Sequence, residues 1–339
     1  MEKTDKVLGI SMGDPGGVGP EIILKSFLEM GNEIPFIVIG DFSVLNLCKE
    51  KLFPNENINL NIIKSIEECI FGNKTLNVCD LNIIDINRFE IGKISKNNGY
   101  ASFKYIEKAI QMAINKEISG VVTAPINKES INLAGYNFSG HTEIFAYYTN
   151  IEDYVMLLYD EKLKISHVST HVALLDCILN LKKERILKVL ELSEKFLNQV
   201  GIKSPKIAVS GINPHASENG LFGKEENEVI IPSINEYILK SKGKVSGPES
   251  PDTVFLKASE GKYDLVVAMY HDQGHIPMKM LGFDSGVNIT LGLPIVRTSV
   301  DHGTAFDISW KKIASNNSLN EAIKIGYKLS LDKNRGGDF

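Results

Sequence analysis

No apolar run in this chain approaches the length of a membrane-spanning helix, and the segment Met1–Lys6 leads into a run too short for a signal peptide. A cytoplasmic protein with no membrane partner is expected. Basic residues are not in excess: 37 Lys and Arg against 42 Asp and Glu leave a formal net charge of −5, which gives no electrostatic footprint for a nucleic-acid backbone. Cysteine is scarce. The four, Cys48, Cys69, Cys79 and Cys177, include no C-x-x-C pair, so neither a zinc knuckle nor a disulfide framework is suggested, and reduced packing residues are expected. A G-x-S-x-G elbow is missing, as is a cysteine in an activating context, so covalent nucleophilic catalysis is a poor fit.

What is present reads as an α/β protein. Short apolar runs alternate with helical periodicity: Val7–Ile10 before a helix from Pro20, and Phe36–Ile39 before a helix near Phe42. Phe103, Ile106, Ile110 and Ala113 repeat at helical spacing ahead of Val121–Thr123. Ile186, Val189, Leu190 and Leu197 do the same ahead of Ile207–Val209. Helices are therefore expected to cover a largely parallel sheet. With 339 residues the chain exceeds what one core usually holds, so two domains are expected. No repeat or proline-rich linker separates them, so they should share an interface or a sheet. Cys48–Arg88, rich in Asn, Ile and Lys, is expected to form peripheral strands and loops.

Four strand-like runs each end in a loop of Gly, Pro, His or Asn: Ile10–Met12 into Gly13, Val121–Thr123 into Ala124-Pro125-Ile126-Asn127-Lys128, Val209–Gly211 into Asn213-Pro214-His215, and Met269-Tyr270 into His271. In open α/β sheets ligands bind beyond the carboxyl ends of strands, so these loops are expected to meet at one crevice. The densest polar stretch runs from Asp264 to Asp307 and holds His271, Asp272, His275, Lys279, Asn288, Arg297, Asp301 and His302. That chemistry suits an anionic, oxygen-rich small molecule, with imidazoles for a metal and Lys or Arg for phosphate or carboxylate. Lys279 and Arg297 stand among apolar residues such as Met278, Leu293 and Ile295, where an isolated charge is costly without a partner.

Five of the seven histidines, His141, His171, His215, His271 and His302, lie in polar loop contexts. Three of them could surround a divalent ion; ordinary hydrogen-bonded histidines are the other reading. His167 and His171 are four apart in a β-type run, where four residues span roughly 13 Å, so both cannot bind one ion. His171 is the better ligand, and His167 is expected to pack within the sheet. The segment Gly13–Glu21 could be an anion loop, or a tight turn with Pro20 at the first helical position; it fits neither G-x-G-x-x-G nor the P-loop pattern.

Taken together, Gly13-Asp14-Pro15 through Glu21, Thr123–Lys128, Gly140-His141-Thr142-Glu143, Asn213-Pro214-His215, Pro251–Phe255, Tyr270–Gly274, Asn288–Pro294 and Arg297–Asp307 resemble the 4-hydroxythreonine-4-phosphate dehydrogenase family along nearly the whole chain. The resemblance implies metal ligation by His171, His215 and His271, and substrate contacts from His141, Thr142, Lys279, Asn288 and Arg297. Lys279, Asp252 and Asp272 are the candidate catalytic groups. It also implies two α/β/α domains flanking a cleft, like isocitrate and isopropylmalate dehydrogenases, with His302, Gly303 and Asp307 on the cofactor loop. The expected division is 1–125 plus 290–339 on the cofactor side and 126–289 carrying metal and substrate ligands.

The implied cofactors are NAD, with NADP open, and one divalent ion, with Zn, Mg, Mn and Co all open. The implied partner is a second copy of the chain, with His171 and at least one other ligand coming from different subunits. His275, the wording Ser166–His171 and Ser299–Gly303 resemble the branch acting on D-threonate or D-erythronate 4-phosphate, although Pro251 departs slightly from the biosynthetic pattern. The implied reaction is oxidation at C3 by NAD and loss of CO2 from the 3-keto acid, giving dihydroxyacetone phosphate. The alternatives are the 4-hydroxy-L-threonine-4-phosphate dehydrogenase of pyridoxal phosphate biosynthesis, a metal-dependent hydrolase using the same histidines, and a catalytically silent binding protein.

Overall fold

The computed structural model describes residues 6–332 apart from 32, 242 and 283; the lead segment 1–5 and residues 333–339 lie outside the described residues. Strands in chain order are β1 (Leu8–Ser11), β2 (Phe36–Gly40), β3 (Asn59–Ile63), β4 (Thr75–Asp80), β5 (Gly120–Thr123), β6 (Val155–Tyr159), β7 (Lys164–His167), β8 (Lys206–Ser210), β9 (Lys244–Glu249), β10 (Leu265–Ala268), β11 (Val287–Leu291) and β12 (Arg297–Val300). The described residues fall into two compact units, one within Met1–Glu152 and Leu293–Phe339, the other within Asp153–Gly292. Residues 126–152, with His141 and Thr142, thus go with the first unit.

In the first unit six strands run in the order β3-β4-β2-β1-β5-β12, and each pairing is parallel. β1, β2 and β5 are buried along their whole length, as strands covered on both faces must be. The helix Lys96–Ile114 packs on β1, β2 and β5, and its Phe103, Ile106, Ile110 and Ala113 are all buried. The helix Asn317–Ser330 covers β5 and β12. Of the segment expected to be peripheral, β3 does form the sheet edge, whereas β4 is paired on both sides. The chain leaves β1 for β2 on one side and later returns to β5 on the other, so the topological switch point lies between β1 and β5.

In the second unit the order is β11-β6-β7-β10-β8-β9. β6 runs antiparallel to β7 and β11, while β7, β10, β8 and β9 are parallel. The amphipathic helix Lys183–Gln199 buries Ile186, Val189, Leu190 and Leu197 and packs against β6, β7, β10 and β11. A core of Leu158, Ile165, Val266, Ala268, Phe255 and Met278 is shared by strands and the helices Val254–Ser259 and His271–Gly282. Because β7, β10 and β8 are parallel neighbours, their carboxyl ends deliver His171, His271 and His215 to the same edge of this sheet.

Candidate active site

At the switch point of the first unit the glycine segment is a tight turn, not an open anion loop. Gly13 has φ +71°, and a Cβ there would lie 2.3 Å from the Pro125 carbonyl oxygen, so this position excludes any side chain. Asp14 fills the turn: its N–H donates to Pro125 O (2.8 Å), and its Oδ1 accepts the Gly16 N–H (2.9 Å). Pro20 then opens the helix Gly19–Met30. Burial pushes the Asp14 carboxyl up to about 7, against the lowering pull of the Gly16 N–H and the Ser130 hydroxyl. The same turn is stitched to the loop after β12, since Val18 N–H donates to Thr304 O (3.0 Å). The cofactor candidates His302, Gly303 and Asp307 are exposed on that loop.

β12 departs from the apolar rule. Arg297, Thr298 and Ser299 are buried polar residues on an interior-type strand. The Arg297 guanidinium donates from Nη2 to Thr123 Oγ1 at 3.1 Å and lies 5.7 Å from the centre of the Phe145 ring. Burial pulls its pKa down to about 9, with Glu143 opposing the fall, so it stays cationic at neutral pH. His141 and the buried Thr142 begin the helix His141–Thr149. The Nε2 atom of His141 is sealed from solvent with no hydrogen-bond partner, although the residue as a whole is half-buried. Burial first, then the Arg297 and Lys128 cations, hold this imidazole well below its ordinary value, so it is neutral. A buried guanidinium, a neutral imidazole and a helix N-terminus thus lie in one unit, the chemistry that anion sites use.

In the second unit His171 and His271 have ring centres 5.6 Å apart and line a cavity of about 390 Å³ together with Ser169, Thr170, Tyr270 and Asp272. Two imidazoles bound to one ion at about 2 Å have ring centres roughly 5–6 Å apart, and this pair has that spacing. Nδ1 of His271 faces Asp272 Oδ1 at 2.6 Å. A carboxylate only accepts, so the proton sits on Nδ1 and leaves the Nε2 lone pair for a ligand; in this geometry Asp272 orients His271. His275 stacks on His271 with ring centres 3.6 Å apart. His167 is fully buried in β7, as expected, and burial with the field of His275 holds it down to about 3. Among the described residues of one chain, no group of three or more His, Cys, Asp or Glu is placed to hold a metal ion.

His215 sits on an unusual turn. Residues 215–219 all have positive φ, between 45° and 64°, and none is glycine. Left-handed backbone costs an L-residue about 1–2 kcal/mol, so the turn needs outside support. Exposed Asp252, held below its ordinary value mainly by the Ser250 hydroxyl, also feels the His215 field. Lys279 is half-buried on the helix His271–Gly282, and Asn288 is half-buried on β11. The substrate candidates are therefore divided, with His141, Thr142 and Arg297 in the first unit and Lys279 and Asn288 in the second.

Sequence reasoning missed Phe145, Glu226 and Gln273. Phe145 looks like any core aromatic, and Glu226 in Lys224-Glu225-Glu226-Asn227 looks like a solvated charge run. Gln273 is buried; its Oε1 accepts the Met269 N–H and its Nε2 donates to Gly211 O, both at 2.7 Å, which ties the end of β10 to the end of β8. The four cysteines carry no disulfide, and burial raises all of them, Cys69 to about 11.

An α/β protein with a doubly covered sheet, a buried cation at one strand end and histidines at three others is built as an enzyme for a small anionic molecule. The family model described as "Pyridoxal phosphate biosynthetic protein PdxA" matches residues 32–326, and the chain belongs to that family. Relatives from Salmonella typhimurium and Pectobacterium atrosepticum, both named D-threonate 4-phosphate dehydrogenase, are 46% and 44% identical, each aligned over 96% of this chain and 99% of the relative. A solved 4-hydroxythreonine-4-phosphate dehydrogenase from Klebsiella pneumoniae matches with a TM-score of 0.88 at 42% identity, covering 98% of this chain and 100% of that one.

Proposed function

We propose that this chain is an NAD-dependent dehydrogenase that oxidises and decarboxylates D-threonate 4-phosphate or D-erythronate 4-phosphate to dihydroxyacetone phosphate. The observation that carries the reading is the 46% identity, over 96% of the chain, to a protein named D-threonate 4-phosphate dehydrogenase. The buried Arg297 with neutral His141 and Thr142 supports it, because such a substrate is anionic at both ends and hydroxylated between them. Arg297 offers a planar fork to a carboxylate or phosphate, and Lys279 a point charge. His141, neutral through burial, can accept or donate a hydrogen bond to a substrate hydroxyl without adding charge. Asp252 and Asp272 are the carboxylates near the histidines; Asp272, paired with His271, is set to orient it.

A divalent ion bound by His171, His215 and His271 would supply Lewis acidity at the C3 hydroxyl and at the enolate left by CO2. NAD, held on the loop carrying His302, Gly303 and Asp307, would take the hydride. The 5.6 Å ring-centre spacing of His171 and His271 supports a reading in which both serve one ion from a single chain, and a homodimer is proposed in which a second copy supplies the remaining imidazole, His215. A cytoplasmic location follows from the need for NAD and a phosphorylated substrate; among the described residues no helix is long and apolar enough to cross a membrane.

The test is reduced-cofactor absorbance with D-threonate 4-phosphate, D-erythronate 4-phosphate and 4-hydroxy-L-threonine 4-phosphate, with CO2 and dihydroxyacetone phosphate assayed in parallel. Turnover of either sugar acid is expected. A preference for the amino acid, to which the family description points, would move the chain to pyridoxal phosphate biosynthesis. Phosphate release without cofactor reduction would make it a hydrolase.

A further inference from the structure

We infer that Glu226 is a positioning residue that holds the His215 turn in the form that presents its imidazole to a metal ion. The inference rests on His215 being a ligand, as proposed above. The turn Pro214–Glu218 with Asn219 cannot owe its shape to local preference, because five consecutive non-glycine residues occupy the left-handed region. Two and three residues upstream of His215, three donors meet one carboxylate. The N–H groups of Ile212 and Asn213 both donate to Glu226 Oε1 at 2.8 Å, and Asn213 Nδ2 donates to Glu226 Oε2 at 2.9 Å. Glu226 is 0% exposed, so these charge-assisted bonds do not compete with water.

The surroundings are shaped to let that carboxylate in. A Cβ on Gly211 would lie 3.2 Å from Glu226 Oε1, and one on Gly223 would lie 2.3 Å from Asn213 Nδ2. Glu226 also begins a π-helical turn, Glu226–Ile230, a wide form that single functional sites tend to impose. Downstream, the turn is closed by the N–H groups of Gly220 and Phe222 on the Ser217 carbonyl at 3.0 and 3.1 Å. Glu226 is not itself a ligand or a base, since both its oxygens already accept hydrogen bonds and it is fully buried. It acts through His215, and it does so whichever chain's ion that imidazole serves.

Glutamine at 226 keeps the size but replaces one acceptor oxygen by an NH2 that opposes the donors. The experiment uses the full chain as Glu226→Gln and His215→Ala, loaded with Co²⁺ alone. Chelator competition gives the affinity, visible absorption reports the ligand field, and circular dichroism with thermal melting reports the fold. For Glu226→Gln we expect a loss of Co²⁺ affinity of about ten-fold or more, a visible spectrum shifted toward that of His215→Ala, a folded circular dichroism signal and an unchanged KM for NAD. Wild-type affinity and spectrum in folded Glu226→Gln, with both lost in His215→Ala, would overturn the role of Glu226 alone. Wild-type affinity in His215→Ala would instead overturn the ligand reading on which it rests. If Glu226→Gln does not fold, Asn213→Ser, which removes the Nδ2 bonds to both Glu226 and Glu225, is compared with Glu225→Ala, which removes only the second; a spectral shift in Asn213→Ser beyond that of Glu225→Ala is the supporting result, and equal or absent shifts overturn the inference.

Discussion

Arg297 is held where a cation is expensive, buried at 3% exposure on an interior strand, with Thr123 among its hydrogen-bonding partners and the Glu143 carboxylate in its field. Its planar fork is the group proposed to receive an anionic end of the substrate. Arg297→Lys keeps the charge but loses the second fork nitrogen and the flat face over Phe145, so the KM for the phosphorylated acid should rise about ten-fold or more with the KM for NAD unchanged. A rise confined to NAD would put Arg297 on the cofactor side. Two other buried groups set the pH dependence of stability in opposite directions. His167 titrates at about 3 in the folded chain against 6.5 ordinarily, so its contribution is present above 6.5 and is lost as pH falls toward 3. Asp14 titrates at about 7 against 3.8, so its contribution is full below 3.8 and is lost as pH rises through 7. Between pH 3.8 and 6.5 the two slopes partly cancel. Asp14→Asn should therefore show a steeper rise of Tm with pH across that window than wild type, and equal slopes would mean that Asp14 ionises at its ordinary value.

Single elements were legible in the sequence where burial is simple. β1, β5, β8 and β10 read as apolar runs closed by turn residues because parallel strands covered on both faces have no polar side to show. β12 did not, since Arg297-Thr298-Ser299 is polar for reasons of chemistry, not of packing. The His215 turn was illegible for a different reason: a left-handed run is normally announced by glycine, and here a carboxylate thirteen residues from Asn213 supports Pro-His-Ala-Ser-Glu-Asn instead. Relief of that strain can be measured. Ala216 has φ 52° and ψ 51°, so Ala216→Gly should stabilise the chain by about 1 kcal/mol in urea unfolding, whereas destabilisation would show that Ala216 is not under backbone strain. In the helix His271–Gly282, a Cβ on Gly274 would lie 2.4 Å from His167 Nε2 and 2.8 Å from Ile165 Cγ2. Gly274→Ala should cost about 1–3 kcal/mol by overpacking β7, with the loss read as a lower urea midpoint at constant m-value.

At the scale of the whole molecule, the α/β class and the family were readable from eight motifs in order, because most of them mark strand ends, and one a helix start, where polar residues would otherwise be costly. How the three proposed ligands would be shared between chains was not, since sequence separation says nothing about which chain completes a metal shell. His171 and His271 stand at the ends of the paired strands β7 and β10 with ring centres 5.6 Å apart, which suits two ligands of one ion in the same chain. Among the described residues no group of three His, Cys, Asp or Glu is placed to hold an ion within one chain; in the proposed C2 dimer, exchange of His215 between the subunits would complete both shells at once. Metal content should fall sharply in His271→Ala. Mixing separates the arrangements: inactive His171→Ala and inactive His215→Ala chains, allowed to exchange subunits, should regain activity, because each mixed dimer then carries one shell with His171, His271 and His215 all intact. His171→Ala mixed with His271→Ala should regain none, since both lesions fall on the same pair. Recovery in the second mixture but not the first would place His171 and His271 in different subunits, and recovery in neither, with exchange confirmed, would place all three ligands in one chain.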